Sequence, residues 1–229
     1  MQPEDRLIVA IDKPSAAEAL ALIDELQGVV RWIKVGLALF AQTGPELVKR
    51  LTGEGWRVFL DLKLHDVPHQ VALAVGAVAD LGASLLTVHT SGGQKMLEAA
   101  AETAAGTSMG ILGVTVLTSL DQTLIEGVGV NCEISKLVPL RARLAHAAGL
   151  AGVVCSPLEA RLMSSSAPEG FEIVTPGIRP PTVASHDQKR VATPQAAIAN
   201  GATRLVVGRA ITTAPDPASA ASAILDSIR

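Results

Sequence analysis

Short apolar runs rich in Val, Ile and Leu recur along the chain, each followed by a stretch in which apolar positions return every three or four residues. The runs fall at 7–12, 32–36, 57–63, 85–90, 110–118, 152–155, 172–178 and 204–208. Runs such as LIVAI, GVVC and RLVVG are apolar without alternation, as parallel strands covered on both faces must be. The stretches between them read as amphipathic helices; Val71, Ala74, Val75, Val78 and Leu81 form one apolar stripe at i, i+3, i+4 and i+7 spacing.

Helix punctuation agrees. Ser15 with Glu18 and Ser156 with Glu159 have capping-box spacing, and Pro157 and Pro194 each follow a capping hydroxyl. Gly82, Gly149 and Gly201 suit C-terminal stops. Strand and helix alternating through eight units predict an α/β chain folded as a single (β/α)8 TIM barrel, with residues 1–229 as one domain. The longer connections lie at about 119–133 and 179–193; the second, rich in Pro, Ser and charge, suits a mobile lid.

Polar residues concentrate at one end of these units. Asp12, Lys34, Asp61, Lys63, His89, Thr118, Arg179 and Arg209 all fall at or just past the C-terminal ends of apolar runs. In a barrel that end is the catalytic face. The segment DLKLHDVPHQ, 61–70, is the densest case: Asp61, Lys63 and Asp66 follow Val58, Phe59 and Leu60 directly. Residues two apart on a strand share a face, so Asp61 and Lys63 point inward together while Leu60, Leu62 and Leu64 pack outward.

One acid–base pair is most simply structural, and Asp66 is placed to cap a helix starting near Val67. Lys34 on the adjacent strand changes that reading, because two ammoniums and two carboxylates in a partly desolvated mouth cost more than stability alone justifies. Two flanking carboxylates keep Lys63 an ammonium, suited to deliver a proton and unsuited to form a Schiff base. At the other side of the mouth, Arg209 after Gly208, with Arg179 of PGIR, supplies two guanidiniums where such barrels bind phosphate.

Composition narrows the partners. A net charge of −3 with three Phe, two Trp and no Tyr gives neither a basic footprint nor stacking platforms for nucleic acid. No apolar run is long enough to span a membrane, and the charged start is followed by too short a run for a signal peptide, so a cytoplasmic location is expected. Cys132 and Cys155, alone and far apart, suggest inert thiols. His65 and His69 have i, i+4 spacing, but Pro68 interrupts the segment and no third ligand is evident, so no metal site is assigned. His89 reads as a buried hydrogen-bonding residue. GVGV at 127–130 and SGGQK at 91–95 lack nucleotide-loop spacing, and Met96 and Met163 read as packing.

Taken in order, AID, KVG, DLKLHD, VHTSGG, VTVLTS, VTPGIR, DQKR and VVGRAIT make the chain resemble the orotidine 5′-monophosphate decarboxylases of bacterial type, essentially end to end. The resemblance implies loss of the C6 carboxylate of orotidine 5′-monophosphate to give uridine 5′-monophosphate and carbon dioxide, with no metal or organic cofactor. It implies that Lys63 protonates C6, that Asp61 lies near the departing carboxylate, and that Lys34 and Asp12 bind ribose hydroxyls. It further implies that Asp66 reaches the partner's site in a homodimer, that Thr118 and Pro176 contact the pyrimidine, and that Arg179, Gln188 and Arg209 grip phosphate. The family usually has Thr where this chain has Gln70, whose amide would replace the hydrogen bond across the dimer. Two other classes share parts of the pattern: magnesium-dependent keto-sugar phosphate decarboxylases or aldolases, which have a carboxylate in place of Lys34, and non-catalytic phosphometabolite-binding proteins.

Overall fold

In the computed structural model, which describes residues 2–164, 167–179 and 191–229, each apolar run becomes a strand: β1 Leu7–Ala10, β2 Trp32–Gly36, β3 Arg57–Leu64, β4 Leu85–His89, β5 Gly110–Val114, β6 Gly152–Val154, β7 Glu172–Thr175 and β8 Arg204–Val207. They pair in parallel, in sequence order, and β8 closes on β1 to complete the barrel. Expected and observed strands coincide at their starts. The largest differences are at the ends of β5 and β7, where the chain beyond Val114 and Thr175 leaves the strand and lines the mouth.

Alternation along the strands separates two apolar layers. Ile8, Ala10, Trp32, Phe59, Leu85, Leu112, Val174 and Val206 pack together inside the barrel. Leu7, Val9, Ile33, Leu60, Val153 and Leu205 face the surrounding helices. The stripe on the helix Pro68–Ala79 is buried at Val71, Val75 and Val78, and Leu81 just past its end is buried too. Met96 and Met163 are buried packing residues.

The caps expected at Ser15 and Thr193 form. Ser15 Oγ accepts from Glu18 N at 3.2 Å, and Thr193 Oγ1 accepts from Ala196 N at 3.2 Å. At the helix Pro157–Ser164 only half the box forms: Glu159 Oε2 accepts from Ser156 N at 2.9 Å, while Ser156 Oγ is buried without a hydrogen-bond partner among the described residues. Gly82, Gly149 and Gly201 have positive φ, the left-handed stop that glycine takes without steric cost. The 119–133 connection contains a short helix, Gln122–Gly127, capped by Asp121, whose Oδ1 accepts from Leu124 N at 3.0 Å. Most of the 179–193 connection, with the lid expected there, lies outside the described residues.

β3 departs from simple alternation. Its register against β4 shifts between Leu60 and Leu64, and Lys63 has φ 53°, the one positive value at a non-glycine position among the described residues. A bulge of this kind bends the strand and redirects side chains. Leu60, Leu62 and Leu64 nonetheless pack against the outer layer.

The base of the barrel is closed by charge as well as by apolar packing. Arg204 donates to Glu172 from Nε and Nη2, the latter at 3.0 Å, and from Nη1 to the Asp5 carbonyl. Thr203 Oγ1 donates to Glu172 Oε2 at 2.6 Å. The Arg204 guanidinium lies over the Trp32 ring, 4.2 Å from its centre.

Candidate active site

A cavity of about 590 Å³ opens at the C-terminal ends of the strands. Asp12, Lys34, Asp61, Lys63, Thr118, Pro176, Arg179, Gly208 and Arg209 all line it, so the structure brings together residues spread over nearly the whole chain. Its floor is the inner apolar layer, through Ala10, Phe59, Val154 and Val206. Lys34, Asp61 and Lys63 stand within β2 and β3, whereas Asp12, Thr118, Arg179 and Arg209 stand past the ends of β1, β5, β7 and β8.

The charges alternate as a chain. Lys34 Nζ is 3.0 Å from Asp12 Oδ1 and 3.6 Å from Asp61 Oδ2, and Lys63 Nζ donates to the same Asp61 oxygen at 2.8 Å. Exposure divides their tasks: the Lys34 and Asp61 side chains are only 10% and 13% exposed, whereas Lys63 is 37% exposed. Lys34 therefore serves as a fixed charge, and Lys63 presents its ammonium to the cavity. Burial pushes the Asp61 carboxyl up, but the charges of Lys34 and Lys63, with hydrogen bonds from Lys63 and Thr87, outweigh it and hold Asp61 below the usual carboxylate range.

Gly36 makes room for this array. A Cβ there would stand 3.0 Å from both Asp12 Oδ1 and Lys34 Nζ.

The segments following β7 and β8 bring Arg179 and Arg209 to the cavity wall. Arg179 is buried, its backbone N–H donates to Ala192 O at 2.9 Å, and its Nε has no hydrogen-bond partner among the described residues. A buried guanidinium N–H of this kind is able to donate to an anionic ligand. Arg209 starts the helix Arg209–Thr212, and a Cβ at Gly208 would meet only Ala10 Cβ at 3.7 Å, so packing within the protein does not demand glycine there.

Some expected residues lie elsewhere. Asp66 and Gln70 are exposed and do not line the cavity of their own chain; Asp66 Oδ1 accepts from Val67 N at 2.6 Å, and Val67, with no side-chain cap, is the N-cap of the helix Pro68–Ala79. Asp66 is thus one residue too early to cap that helix. His89 is half-buried and outside the cavity lining, its ring 5.5 Å from that of His65 and its Nδ1 without a partner among the described residues, in place of the hydrogen-bonded role expected. Gln188 lies outside the described residues. No cluster of three or more metal-ligating side chains occurs among the described residues.

Sequence reading passed over Lys13, Thr212, Thr213 and Thr87. The first three line the cavity, with Lys13 Nζ donating to Thr212 O at 3.0 Å; Lys13 next to Asp12 was a visible signal. Thr87, buried in β4, carries no such mark in LLTVH, and its partners emerge only when β3 and β4 pair.

Comparison with known proteins places this architecture. Residues 5–224 match the model of the Orotidine 5′-phosphate decarboxylase / HUMPS family. An orotidine 5′-phosphate decarboxylase of Halorhodospira halophila is 50% identical over 222 residues, covering 96% of this chain and 94% of that one. One from Synechococcus is 47% identical, with 96% and 94% covered. A crystal structure of orotidine 5′-phosphate decarboxylase from Lactobacillus acidophilus superposes with a TM-score of 0.88 at 34% identity, covering 98% of this chain and 99% of that one. Among the described residues, no helix is long and apolar enough to cross a membrane.

Proposed function

The chain belongs to the orotidine 5′-phosphate decarboxylase / HUMPS family, and we propose how its own residues perform the reaction of the decarboxylase members. It converts orotidine 5′-monophosphate to uridine 5′-monophosphate and carbon dioxide, a carboxy-lyase step of pyrimidine biosynthesis. The observation that carries the residue assignment is the chain of charges Asp12, Lys34, Asp61 and Lys63, ending in an ammonium open to the cavity.

Arg179 and Arg209 hold the phosphate, and Asp12 with Lys34 holds the ribose hydroxyls. Thr118 and Pro176 bracket the pyrimidine over the apolar floor, which sets C6 near Lys63. Gln188 completes the phosphate grip. When the C6–carboxylate bond breaks, its electron pair stays on C6 and carbon dioxide leaves. A proton from the Lys63 ammonium then closes C6–H, and the amine regains a proton from water.

Asp61 faces the departing carboxylate while fixing Lys63 at 2.8 Å. Charges already in place need no reorganisation as the carbanion forms, which is where electrostatic catalysis gains most. Phosphate binding remote from C6 contributes by orienting the ring and expelling water.

We further propose that two chains pair through the segment carrying Asp66 and Gln70, with Asp66 reaching the partner's cavity. Supporting this, residues 65–70 are all exposed, and Val67 and Leu73 present apolar side chains at 61% and 57% exposure. Sedimentation of the protein at assay concentration should give twice the chain mass.

Lys34 favours decarboxylase over magnesium-dependent chemistry, since an ammonium cannot ligate a cation and here it neutralises the carboxylates beside it. The deciding experiment is turnover of orotidine 5′-monophosphate after chelator treatment. Undiminished decarboxylation is the expected result; absence of uridine 5′-monophosphate would refute the assignment.

A further inference from the structure

The strongest unassigned feature is the way β4 supports the bulge in β3. Thr87 is fully buried, its hydroxyl lies between two residues of the array, and it is itself outside the cavity lining. Thr87 Oγ1 accepts from the backbone N–H of Lys63 at 2.9 Å and donates to Asp61 Oδ1 at 2.9 Å. Resting on the decarboxylase reading above, we propose that Thr87 is a positioning residue for that reaction, locking both the backbone of Lys63 and the orientation of the Asp61 carboxylate.

Backbone accounting makes the case. Between Leu60 and Leu64 the β3–β4 register slips, so the intervening residues have no Cα partners on β4. The N–H of Lys63 would be left without an acceptor in a partly buried place, and Thr87 supplies one. An unpaired buried N–H is costly, so the hydroxyl contributes to holding Lys63 at φ 53°, a conformation disfavoured for any residue with a Cβ.

The same bond decides where the hydroxyl proton goes. With its oxygen accepting from Lys63, Thr87 directs its own O–H at Asp61 Oδ1. That leaves Asp61 Oδ2 facing Lys63 Nζ at 2.8 Å and Lys34 Nζ at 3.6 Å. One buried hydroxyl therefore sets which carboxylate oxygen meets the two ammoniums. Its hydrogen bond is also among the influences that lower the Asp61 pKa.

Thr87→Val keeps the shape and removes both bonds; Thr87→Ser keeps both. The expected result is a kcat about 10- to 100-fold lower in Thr87→Val, the range for losing a hydrogen bond to a charged group, with KM for orotidine 5′-monophosphate within about twofold. The acid limb of its kcat profile moves to higher pH, and Thr87→Ser stays near wild type. Thr87→Ala reads the same outcomes should the valine protein not fold.

A substrate-free arm separates this proposal from the functional reading. Carbon-13 titration of the Asp61 carboxyl should give a higher pKa in Thr87→Val or Thr87→Ala than in wild type or Thr87→Ser. Equal Asp61 titration in all four proteins, or wild-type kcat and acid limb in the variants lacking the hydroxyl, overturns the proposal. A wild type inert toward orotidine 5′-monophosphate overturns the functional reading instead and leaves the titration to decide this one.

Discussion

The two ends of the barrel both hold desolvated charges, and they use them in opposite ways. At the base, Glu172 accepts from Arg204 and Thr203, while Arg204 also donates to a carbonyl and covers the Trp32 ring. The Arg204 and Glu172 side chains are 10% and 18% exposed and face no described cavity. At the mouth, the chain of charges ends on a Lys63 that is 37% exposed to an open cavity, and Arg179 Nε has no hydrogen-bond partner among the described residues. A closed network serves the fold; a network with free valence serves a ligand. Buried charge alone does not mark an active site; unspent hydrogen-bonding capacity in the wall of an open cavity points to one.

Mutations at the two ends should separate activity from stability. Lys63→Ala removes the proposed proton donor and should lower kcat about 10²- to 10⁴-fold, the usual worth of a general acid. Its melting temperature should stay near wild type, because Asp61 keeps Lys34 and Thr87. A joint loss of stability and turnover would erase the contrast.

Arg204→Met should do the reverse. Leaving Glu172 buried without its partner costs about 3–5 kcal/mol, or roughly 10 °C in melting temperature for a chain of this size. Steady-state kcat below the new transition should not change.

Arg179→Ala sharpens the picture within the mouth. It removes the proposed phosphate contact remote from C6, so KM should rise about tenfold or more, with kcat less affected if the remaining contacts still orient the ring. Equilibrium binding of uridine 5′-monophosphate provides an independent measure of the same loss.

Smallest is the pH dependence of stability, followed by melting at fixed ionic strength. Asp61 has a folded pKa held below its unfolded value, so its stabilisation is complete above the ordinary carboxylate range and is lost as pH falls through the folded pKa. His89 is lowered as well, by burial first and then by the charges of His65, Arg141 and Lys63, against an opposing pull from Asp61. Its imidazole resists protonation in the fold, so stability declines from its ordinary value of 6.5 downward. His89→Gln should flatten that upper part of the acid decline and leave the Asp61 part in place.

Period and punctuation in the sequence determined the eight βα units, and with them the closed barrel and the mouth to which Asp12, Lys34, Asp61, Lys63, Arg179 and Arg209 belong. These are local signals: a strand's faces repeat every second residue, and its polar end follows directly from where the apolar run stops. Resemblance of motifs then supplied the reaction. Only the tertiary structure decided the bulge at Lys63, the hydroxyl of Thr87 between Lys63 and Asp61, the absence of His89 from the cavity wall, and the pairing of Arg204 with Glu172. Each of these depends on register between strands whose partners stand 24 to 32 residues apart. A threonine in an apolar run looks the same in sequence whether it fills a wall or bridges a catalytic pair, because hydrogen-bond geometry exists only once the strands are side by side.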